Sequence, residues 1–337
     1  MTKPLTFSVG IPAYNQGEFL EETILSLLNQ TRPPDEIVIS DHYSTDNTPE
    51  IIEKYSKHVR GVKPPPGCNV SGQWNFTLSS LSGDWCTLLS SDDIARPHYC
   101  EVLIRGAQRR EDSVLVRAGW ETIDRDGKTL SNEYMLSVSA VTLPPSTLLE
   151  QKYGPKASFA AFAVNREMLI KSGGYPENME SFGDWPMFMQ LAPFGSFIYE
   201  DELISGYRVG HDGNKFRNRF GMWVRDEQRM FYDVMPVAAQ RAGMKDTAWI
   251  DKASRANFLR YVTTAYDEFA LSERAALYPI LEPWANRVDG QSILESFLAD
   301  RPLPVSLNNV FERGKQILRP YAQKLYALRQ RQPLRSL

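Results

Sequence analysis

The sequence predicts an α/β fold in which helices cover a mostly parallel β-sheet on both faces, followed by a mainly helical region after about residue 220. Short apolar runs, typical of buried strands, begin at residues 5, 36 and 85, and each has a segment of helical periodicity beside it. Strands that alternate with helices along a chain usually form parallel sheets that are buried on both faces.

The first two runs each begin a predicted strand–helix unit. Residues 5–11 form an apolar run, and residues 17–30 carry apolar side chains at helical spacing. The second run covers residues 36–40. After a polar turn, Thr48 is a suitable N-cap and Pro49 a suitable first residue for a second helix.

The third run, residues 85–89, lies between a predicted helix around residues 71–80 and another that follows Pro97. The pattern is more broken over residues 114–163, which we expect to form a wall on the acceptor side of a binding site. A further helix is predicted over Asp184–Leu191.

Polar and acidic residues follow all three predicted strands, at residues 12–15, 41–46 and 90–93. In open α/β sheets, ligands bind beyond the carboxyl ends of the strands. Asp92 and Asp93 stand just after the third strand, where carboxylates suit a Mg²⁺ or Mn²⁺ ion that bridges a diphosphate. Taken alone, however, an Asp pair before a helix is equally consistent with a capping and turn device.

The composition bounds the function. The chain has 337 residues, 42% hydrophobic and 23% charged, which is enough for one large or two modest globular domains. A net charge of -3 gives no overall basic field, so we expect no nucleic-acid partner. The glycine-rich phosphate loop, the dinucleotide-binding glycine pattern and the esterase elbow are absent from the sequence.

The expected location is the cytoplasm. The three cysteines have no metal or redox spacing and are interpreted as reduced thiols. Neither a signal peptide nor about 18 consecutive apolar residues is found. Seven cations and no acid lie between Arg313 and the C-terminus, interleaved with apolar residues. This pattern is typical of a basic amphipathic helix, which would lie on an anionic membrane at its inner face, pack on the catalytic domain, or form a homodimer contact.

Several segments carry recognisable motifs in order: residues 9–15, 37–48, 69–75 and 90–97, with Gly173-Gly174-Tyr175, Gly183-Asp184-Trp185, Leu191 and Tyr207-Arg208 after them. Together they resemble the inverting family 2 glycosyltransferases of the GT-A fold. That fold has a mixed, mostly parallel central sheet, and the resemblance covers roughly the first 210 residues. We therefore predict a catalytic domain over residues 1–215 and a helical region over residues 216–337.

The resemblance implies roles for individual residues. It implies that nucleotide contacts come from the strand-end segments, that a metal ion is held at the Asp pair, and that Asp184 is the general base. A carboxylate is chemically suited to take the proton of an attacking acceptor hydroxyl, although Asp184 is also a candidate N-cap. The implied nucleotide-binding residues are Pro12, Tyr14, Asn15, Asp41 and Asp92, and the implied metal ligands are Asp92, Asp93 and His211.

Four positions depart from the pattern or have an open interpretation. Residues 90–93 match the family's Asp-x-Asp-Asp signature, but Ser90 stands where that signature often has its first Asp. Gly183 replaces an acid that often precedes the general base. His211 lies one place later than the usual histidine, so it is either a metal or phosphate contact or a plain loop residue. Arg208 either contacts phosphate or forms a salt bridge within the fold.

The predicted function is metal-dependent transfer of a sugar, with inversion, from a nucleoside diphosphate to a glycan or lipid-linked oligosaccharide. The predicted cofactor is Mn²⁺ or Mg²⁺. A UDP-sugar is favoured over dTDP- or GDP-sugars, and a role in surface polysaccharide synthesis is expected. The alternatives are an inactive sugar-nucleotide or glycan binding module and a sugar-nucleotide nucleotidyltransferase, although the latter normally needs a glycine-rich basic loop after the first strand.

Overall fold

The computed structural model describes residues 4–135, 138–179, 183–210 and 215–303. Packing divides the chain into two compact units, Met1–Ile250 and Asp251–Leu337. The predicted domain limit at residue 215 was placed where the motifs end, not by packing, and it stays a prediction. His211 lies outside the described residues, and so does the basic segment that begins at Arg313.

Within the described residues, ten strands form one mixed sheet in the order β3-β2-β1-β4-β9-β6-β10-β5, with β7 beside β6 and β8 beside β10. The longest ladders, β1 with β2 and β6 with β10, are parallel, whereas β9 is antiparallel to β4 and β6. The predicted mixed, mostly parallel sheet is thus confirmed. The strands are β1 (Phe7–Ala13), β2 (Glu36–Asp41), β3 (Arg60–Val62), β4 (Trp85–Leu88), β5 (Ile94–Ala95), β6 (Ser113–Ile123), β7 (Thr129–Glu133), β8 (Val141–Thr142), β9 (Phe162–Asn165) and β10 (Ser196–Arg208).

Helices separate the strands and dominate the described chain after residue 215, as predicted. No helix in the described ranges combines the length and apolar character that crossing a bilayer requires. The helices are α1 (Leu20–Leu28), α2 (Thr48–Lys54), α3 (Val70–Ser79), α4 (Tyr99–Ala107), α5 (Ser146–Leu149), α6 (Arg166–Ser172), α7 (Asp184–Leu191), α8 (Lys215–Arg229), α9 (Met235–Arg241), α10 (Ala248–Glu268), α11 (Leu271–Arg274), α12 (Tyr278–Arg287) and α13 (Gln291–Leu298).

The start of α2 differs from the prediction. Thr48 is the first helical residue, and Asn47 occupies the N-cap position without a side-chain cap bond. The carboxylate of Asp46 accepts the Thr48 amide at 3.0 Å instead, and the Thr48 hydroxyl accepts the amide of Gln16 at 3.1 Å. Thr48 therefore fixes the loop after β1 and does not cap its own helix.

The region predicted to be broken contains the eleven-residue strand β6. Its polar residue Arg117 obscures the apolar pattern, yet its side chain is fully buried. The guanidinium pairs with Glu150 at 2.7 Å and lies 5.7 Å from the ring centre of Phe197. An ion pair and an aromatic face can thus keep a charged residue inside a sheet.

Close packing of α3 on β1 positions the site. A Cβ atom at Gly10 of β1 would lie 2.7 Å from a methyl carbon of Thr77, so only glycine allows the helix this near. From α3, the Gln73 amide group donates to the carbonyl oxygens of Ala13 (3.2 Å) and Ser40 (3.0 Å). One side chain therefore links the carboxyl ends of β1 and β2.

The second unit has an aromatic core of its own. Trp284 is fully buried, and its ring centre lies 5.7 Å from that of Phe258 and 5.6 Å from that of Tyr261. Its indole nitrogen donates to the hydroxyl of Ser254 at 2.9 Å. Apolar contact and a satisfied indole together stabilise this helical unit.

Candidate active site

A cleft of about 320 Å³ lies at the carboxyl ends of β1 and β4. This is the edge where ligands bind in open α/β sheets. Three of the residues implied by the resemblance, Pro12, Tyr14 and Asp92, line it together with Ser90. The full lining is Pro12, Ala13, Tyr14, Gln16, Gln73, Trp74, Ser90, Ser91, Asp92, Tyr207, Arg208 and Arg219.

Tyr14 and Asn15 have different tasks. Tyr14 is 59% exposed, which leaves its ring accessible at the cleft. Asn15 has a left-handed backbone (φ 51°), and its side-chain oxygen accepts the amide of Thr45 at 2.8 Å. Its own amide donates to the Ser44 hydroxyl at 2.9 Å. Asn15 therefore joins the loop after β1 to the loop after β2.

Asp41 lies one strand away from the cleft wall, because it pairs in register with Ala13. Its side chain is buried, and one carboxylate oxygen accepts the amide of Ser44 at 3.0 Å. The adjacent His42 ring lies 6.0 Å from the ring of Tyr14. The Asp41 carboxylate thus shapes the turn beside the position where the resemblance implies nucleotide binding.

The two acids of the Asp pair point to different surroundings. Asp92 is partly exposed and lines the cleft. Asp93 is fully buried, and its carboxylate accepts the backbone amide of Arg208 at 2.9 Å. The Asp93 carbonyl oxygen also accepts the hydroxyl of Thr23 at 2.8 Å. Asp93 therefore fixes the end of β10 and the start of α1 around the position of Asp92.

Arg208 forms a salt bridge within the fold, which is one of its two predicted roles. Its guanidinium donates to the carboxylate of Glu22 at 2.6 Å and to the carbonyl oxygens of Asp92 (2.7 Å) and Asp124 (3.2 Å). It also donates to the carbonyl oxygen of Arg125. With the side chain only 1% exposed, these bonds occupy the group inside the protein.

The donor set fits a cation that shares its coordination with substrate. Among the described residues, no three His, Cys, Asp or Glu side chains gather into a group that would hold a metal ion by themselves. Mg²⁺ commonly binds through one or two carboxylates, with water and substrate phosphates completing its coordination. The cleft-facing Asp92 can supply such a carboxylate.

Asp184 is the first residue of α7, with Gly183 at the N-cap position. Its carboxylate accepts the amide of Trp185 at 2.8 Å, a favourable position for an anion at a helix N-terminus. Burial raises the pKa of Asp184 above its ordinary value of 3.8. The raised pKa makes this carboxylate a stronger base than an exposed aspartate.

Asp184 does not line the cleft, but Tyr207 does. Burial raises the pKa of its phenol, and the charges of Asp93, Asp92 and Asp184 raise it further. The phenol of a cleft-lining residue is thus shielded from water and lies in the field of nearby carboxylates. A perturbed side chain in a cleft is a candidate for a functional site.

The contact of Gly183 with Trp74 explains one departure from the family pattern. A Cβ atom at Gly183 would lie 2.0 Å from an edge carbon of the Trp74 ring, so no larger residue fits. The Trp74 ring is also packed on Tyr175, with 5.0 Å between centres, and on Phe159, with 4.8 Å. The indole that lines the cleft thus occupies the space of the missing acid.

Sequence reasoning missed Gln73, Trp74 and Arg219 in the lining of the cleft. Gln73 and Trp74 lie inside a motif whose glycine and asparagine alone carried the resemblance. The Asn75 side chain bonds both the amide (2.9 Å) and the carbonyl (2.8 Å) of Tyr175, which brings Trp74 to that residue. Arg219 lies beyond the motifs, and its helical surroundings give no signal in the sequence.

The fold is that of GT-A nucleotide-sugar transferases. The structure of Staphylococcus aureus TarS residues 1–349 in complex with UDP-GlcNAc superimposes with a TM-score of 0.56 at 16% identity, over 88% of this chain and 93% of that one. At this identity the likeness supports the fold alone. A parallel sheet edge with a cleft and an acidic residue at its centre agrees with this class.

The chain belongs to glycosyltransferase family 2. The pattern described as "Glycosyl transferase family 2" matches residues 8–172. Glycosyltransferase GlyG of Streptococcus pneumoniae is 30% identical over 234 residues, which are 66% of this chain and 77% of that protein. Hyaluronan synthase of Pasteurella multocida is 26% identical over 218 residues, 64% of this chain. The chain spans only 21% of the length of that synthase.

Proposed function

We propose that this glycosyltransferase moves a sugar from a nucleoside diphosphate to a hydroxyl group of a glycan, with inversion at the anomeric carbon. The observation that supports the proposal is the cleft at the strand ends, which Asp92 and Trp74 line, together with the contact between Trp74 and Gly183, the residue before Asp184. The favoured donor is a UDP-sugar, in agreement with the UDP-GlcNAc bound by TarS, and dTDP- and GDP-sugars are the next candidates.

The donor occupies the strand-end side of the cleft in this proposal. Tyr14 and Pro12 contact the nucleoside, and Asn15 and Asp41 hold the loops that shape its site. Asp92 would hold Mn²⁺ or Mg²⁺ beside the donor diphosphate, whereas Asp93 supports Asp92 through β10. The bound cation would neutralise charge on the departing diphosphate.

Asp184 is the general base. It takes the proton of the acceptor hydroxyl while that oxygen attacks the anomeric carbon, and the bond from this carbon to the diphosphate oxygen breaks. The electron pair leaves with the nucleoside diphosphate. One displacement of this kind inverts the anomeric configuration and needs no covalent sugar–enzyme intermediate.

The acceptor is a growing surface polysaccharide or a lipid-linked oligosaccharide. The names of the relatives support a polysaccharide, since one is a hyaluronan synthase. A cytoplasmic enzyme that contacts the inner membrane face through its basic C-terminal segment, or forms a homodimer there, would meet such an acceptor as it is made.

The test is release of nucleoside diphosphate from a panel of UDP-, dTDP- and GDP-sugars with Mn²⁺, with and without a chelator. We expect one donor to be consumed in a metal-dependent manner, and NMR of the product formed on an oligosaccharide acceptor should show the opposite anomeric configuration. Tight donor binding without any turnover would instead indicate the inactive binding module. Retained configuration would disprove the single displacement.

A further inference from the structure

Two arginines line the cleft, and their surroundings differ. The Arg208 guanidinium is bonded to Glu22 and to three carbonyl oxygens and is almost fully buried. Arg219, on α8, is exposed to solvent. A bound anion could reach Arg208 only by replacing its internal bonds, whereas it can approach Arg219 directly.

The proposed donor needs more positive charge than one divalent cation provides. A nucleoside diphosphate leaves with two to three negative charges, and Asp92 adds another beside it. A guanidinium can make two parallel hydrogen bonds to phosphate oxygens, which a compact ammonium group cannot match.

We propose that Arg219, not Arg208, is the arginine that binds the diphosphate of the donor. This inference rests on the proposed function. The guanidinium donates hydrogen bonds to the phosphate oxygens, and it stabilises the charge that develops when the bond between the anomeric carbon and the diphosphate oxygen breaks. Arg219 itself transfers no proton, because the leaving diphosphate keeps the electron pair of that bond and departs as an anion.

The helix α8 holds Arg219 in a defined position. The helix begins at Lys215, after β10 and after the last motif of the resemblance, and it still belongs to the first compact unit. Phe220, the residue next to Arg219, is buried. A buried neighbour fixes the helix while the guanidinium extends from it, so Arg219 is presented to the cleft by a packed element.

The experiment compares Arg219→Ala and Arg219→Lys with Arg217→Ala. Arg217 lies two residues earlier on the same helix and is not among the residues that line the cleft. Titration calorimetry with Mn²⁺ measures the affinity for UDP, dTDP and GDP, and the diphosphate that binds wild type is then compared with its nucleoside. Thermal unfolding of each variant confirms that it is folded.

We expect Arg219→Ala to weaken binding of the diphosphate by about 10-fold to 100-fold, in line with the loss of a hydrogen bond to a charged group. Nucleoside binding should be unchanged, Arg219→Lys should restore part of the loss, and Arg217→Ala should bind like wild type. Equal diphosphate binding by wild type and Arg219→Ala would overturn the assignment of Arg219 alone. Failure of wild type to bind any of the three diphosphates would instead overturn the proposed function.

Discussion

The strand ends and the helices that line the cleft are held by different kinds of contact. On the strand side, the positions of Pro12 and Asp41 follow from the register of β1 with β2. On the helix side, Trp74 is placed by Asn75, which bonds Tyr175 one hundred residues later, and by its contact with Gly183. Sheet pairing positions the strand side of the cleft, whereas contacts between distant segments position the helix side, near Asp184.

This difference separates the tasks of the two sides. The strand side is positioned by backbone register, and Gln73 and Asp93 link its strand ends to neighbouring elements. The helix side depends on the fit of one indole ring against a glycine. We therefore expect substitutions on the helix side to affect packing and transfer together, and those at the strand ends to affect donor and metal binding.

The largest expected effect is that of Asp184→Asn. Removal of a general base typically costs about 10²-fold to 10⁴-fold in rate. The asparagine oxygen can still accept the amide of Trp185, so the start of α7 should be preserved. The measurement is the steady-state rate of nucleoside diphosphate release, together with donor affinity, which should remain near that of wild type.

Asp267→Asn is the matched control, because it makes the same chemical change at an exposed position of α10. Its activity should equal that of wild type. Full transfer activity in Asp184→Asn would show that Asp184 is not the general base. The two sides of the cleft would then not differ in catalytic role as proposed.

The neighbouring acids Asp92 and Asp93 test the strand side. Asp92→Asn should lower metal-dependent transfer by about 100-fold, since a metal ion contributes several kcal/mol to such a reaction, and should leave the melting temperature nearly unchanged. Asp93→Ala removes the acceptor of the Arg208 amide and should lower the free energy of unfolding by about 1–3 kcal/mol. Activity assays over a range of Mn²⁺ concentrations and chemical unfolding measure the two effects.

Asp92 and Asp93 are assigned different tasks because their variants are expected to differ: one should lose mainly activity and the other mainly stability. If Asp92→Asn were strongly destabilised and Asp93→Ala lost only its response to Mn²⁺, the roles would have to be exchanged. Equal profiles would indicate that both acids hold the metal, as the resemblance implies.

The sequence predicted the strand side well because its signals are local. Apolar runs that end in acidic segments identify β1, β2 and β4 and place Asp92 at a strand end. The N-terminal position of Asp184 in α7 was predicted for the same reason. The prediction of Thr48 as the N-cap was wrong. The sequence does not show that the Thr48 amide donates to Asp46 and that its hydroxyl accepts the amide of Gln16.

The helix side could not be predicted, because its contacts join distant segments. Nothing near Gly183 in the sequence indicates that Trp74 fills the space beside it. In the sequence, Arg117 likewise indicates a break in a strand. Only the structure shows its ion pair with Glu150 and its position near the ring of Phe197. In the same way, the different surroundings of Arg208 and Arg219 appear only in three dimensions.

The fit between Gly183 and Trp74 should give a smaller effect than loss of Asp92. In Gly183→Ala the new methyl group meets the ring at 2.0 Å, so Trp74 has to move. Overpacking of this kind typically costs about 1–3 kcal/mol, and transfer should fall as Asp184 shifts with its neighbour. Unfolding and activity are measured for Gly183→Ala, Trp74→Ala and the double variant.

The double variant distinguishes a steric effect from a backbone effect. With the ring removed, the alanine at position 183 should cost less than it does beside Trp74, with a coupling of about 0.5–3 kcal/mol. Additive effects would mean that the two residues do not meet, and the helix side would then be held by other contacts.

The smallest expected effect is on the pH dependence of stability. The pKa of Asp184 is raised in the folded state above its ordinary 3.8, so the folded protein favours the protonated carboxyl group. The ionised form therefore lowers the stability of the folded protein, and this cost appears as pH rises from the unfolded value through the raised folded value. Asp184→Asn lacks the cost. Its melting temperature should exceed that of wild type at neutral pH, and the difference should disappear below the ordinary pKa, where the carboxyl group is neutral in both states. A lower melting temperature of the variant at neutral pH would contradict a raised pKa of Asp184 in the folded protein.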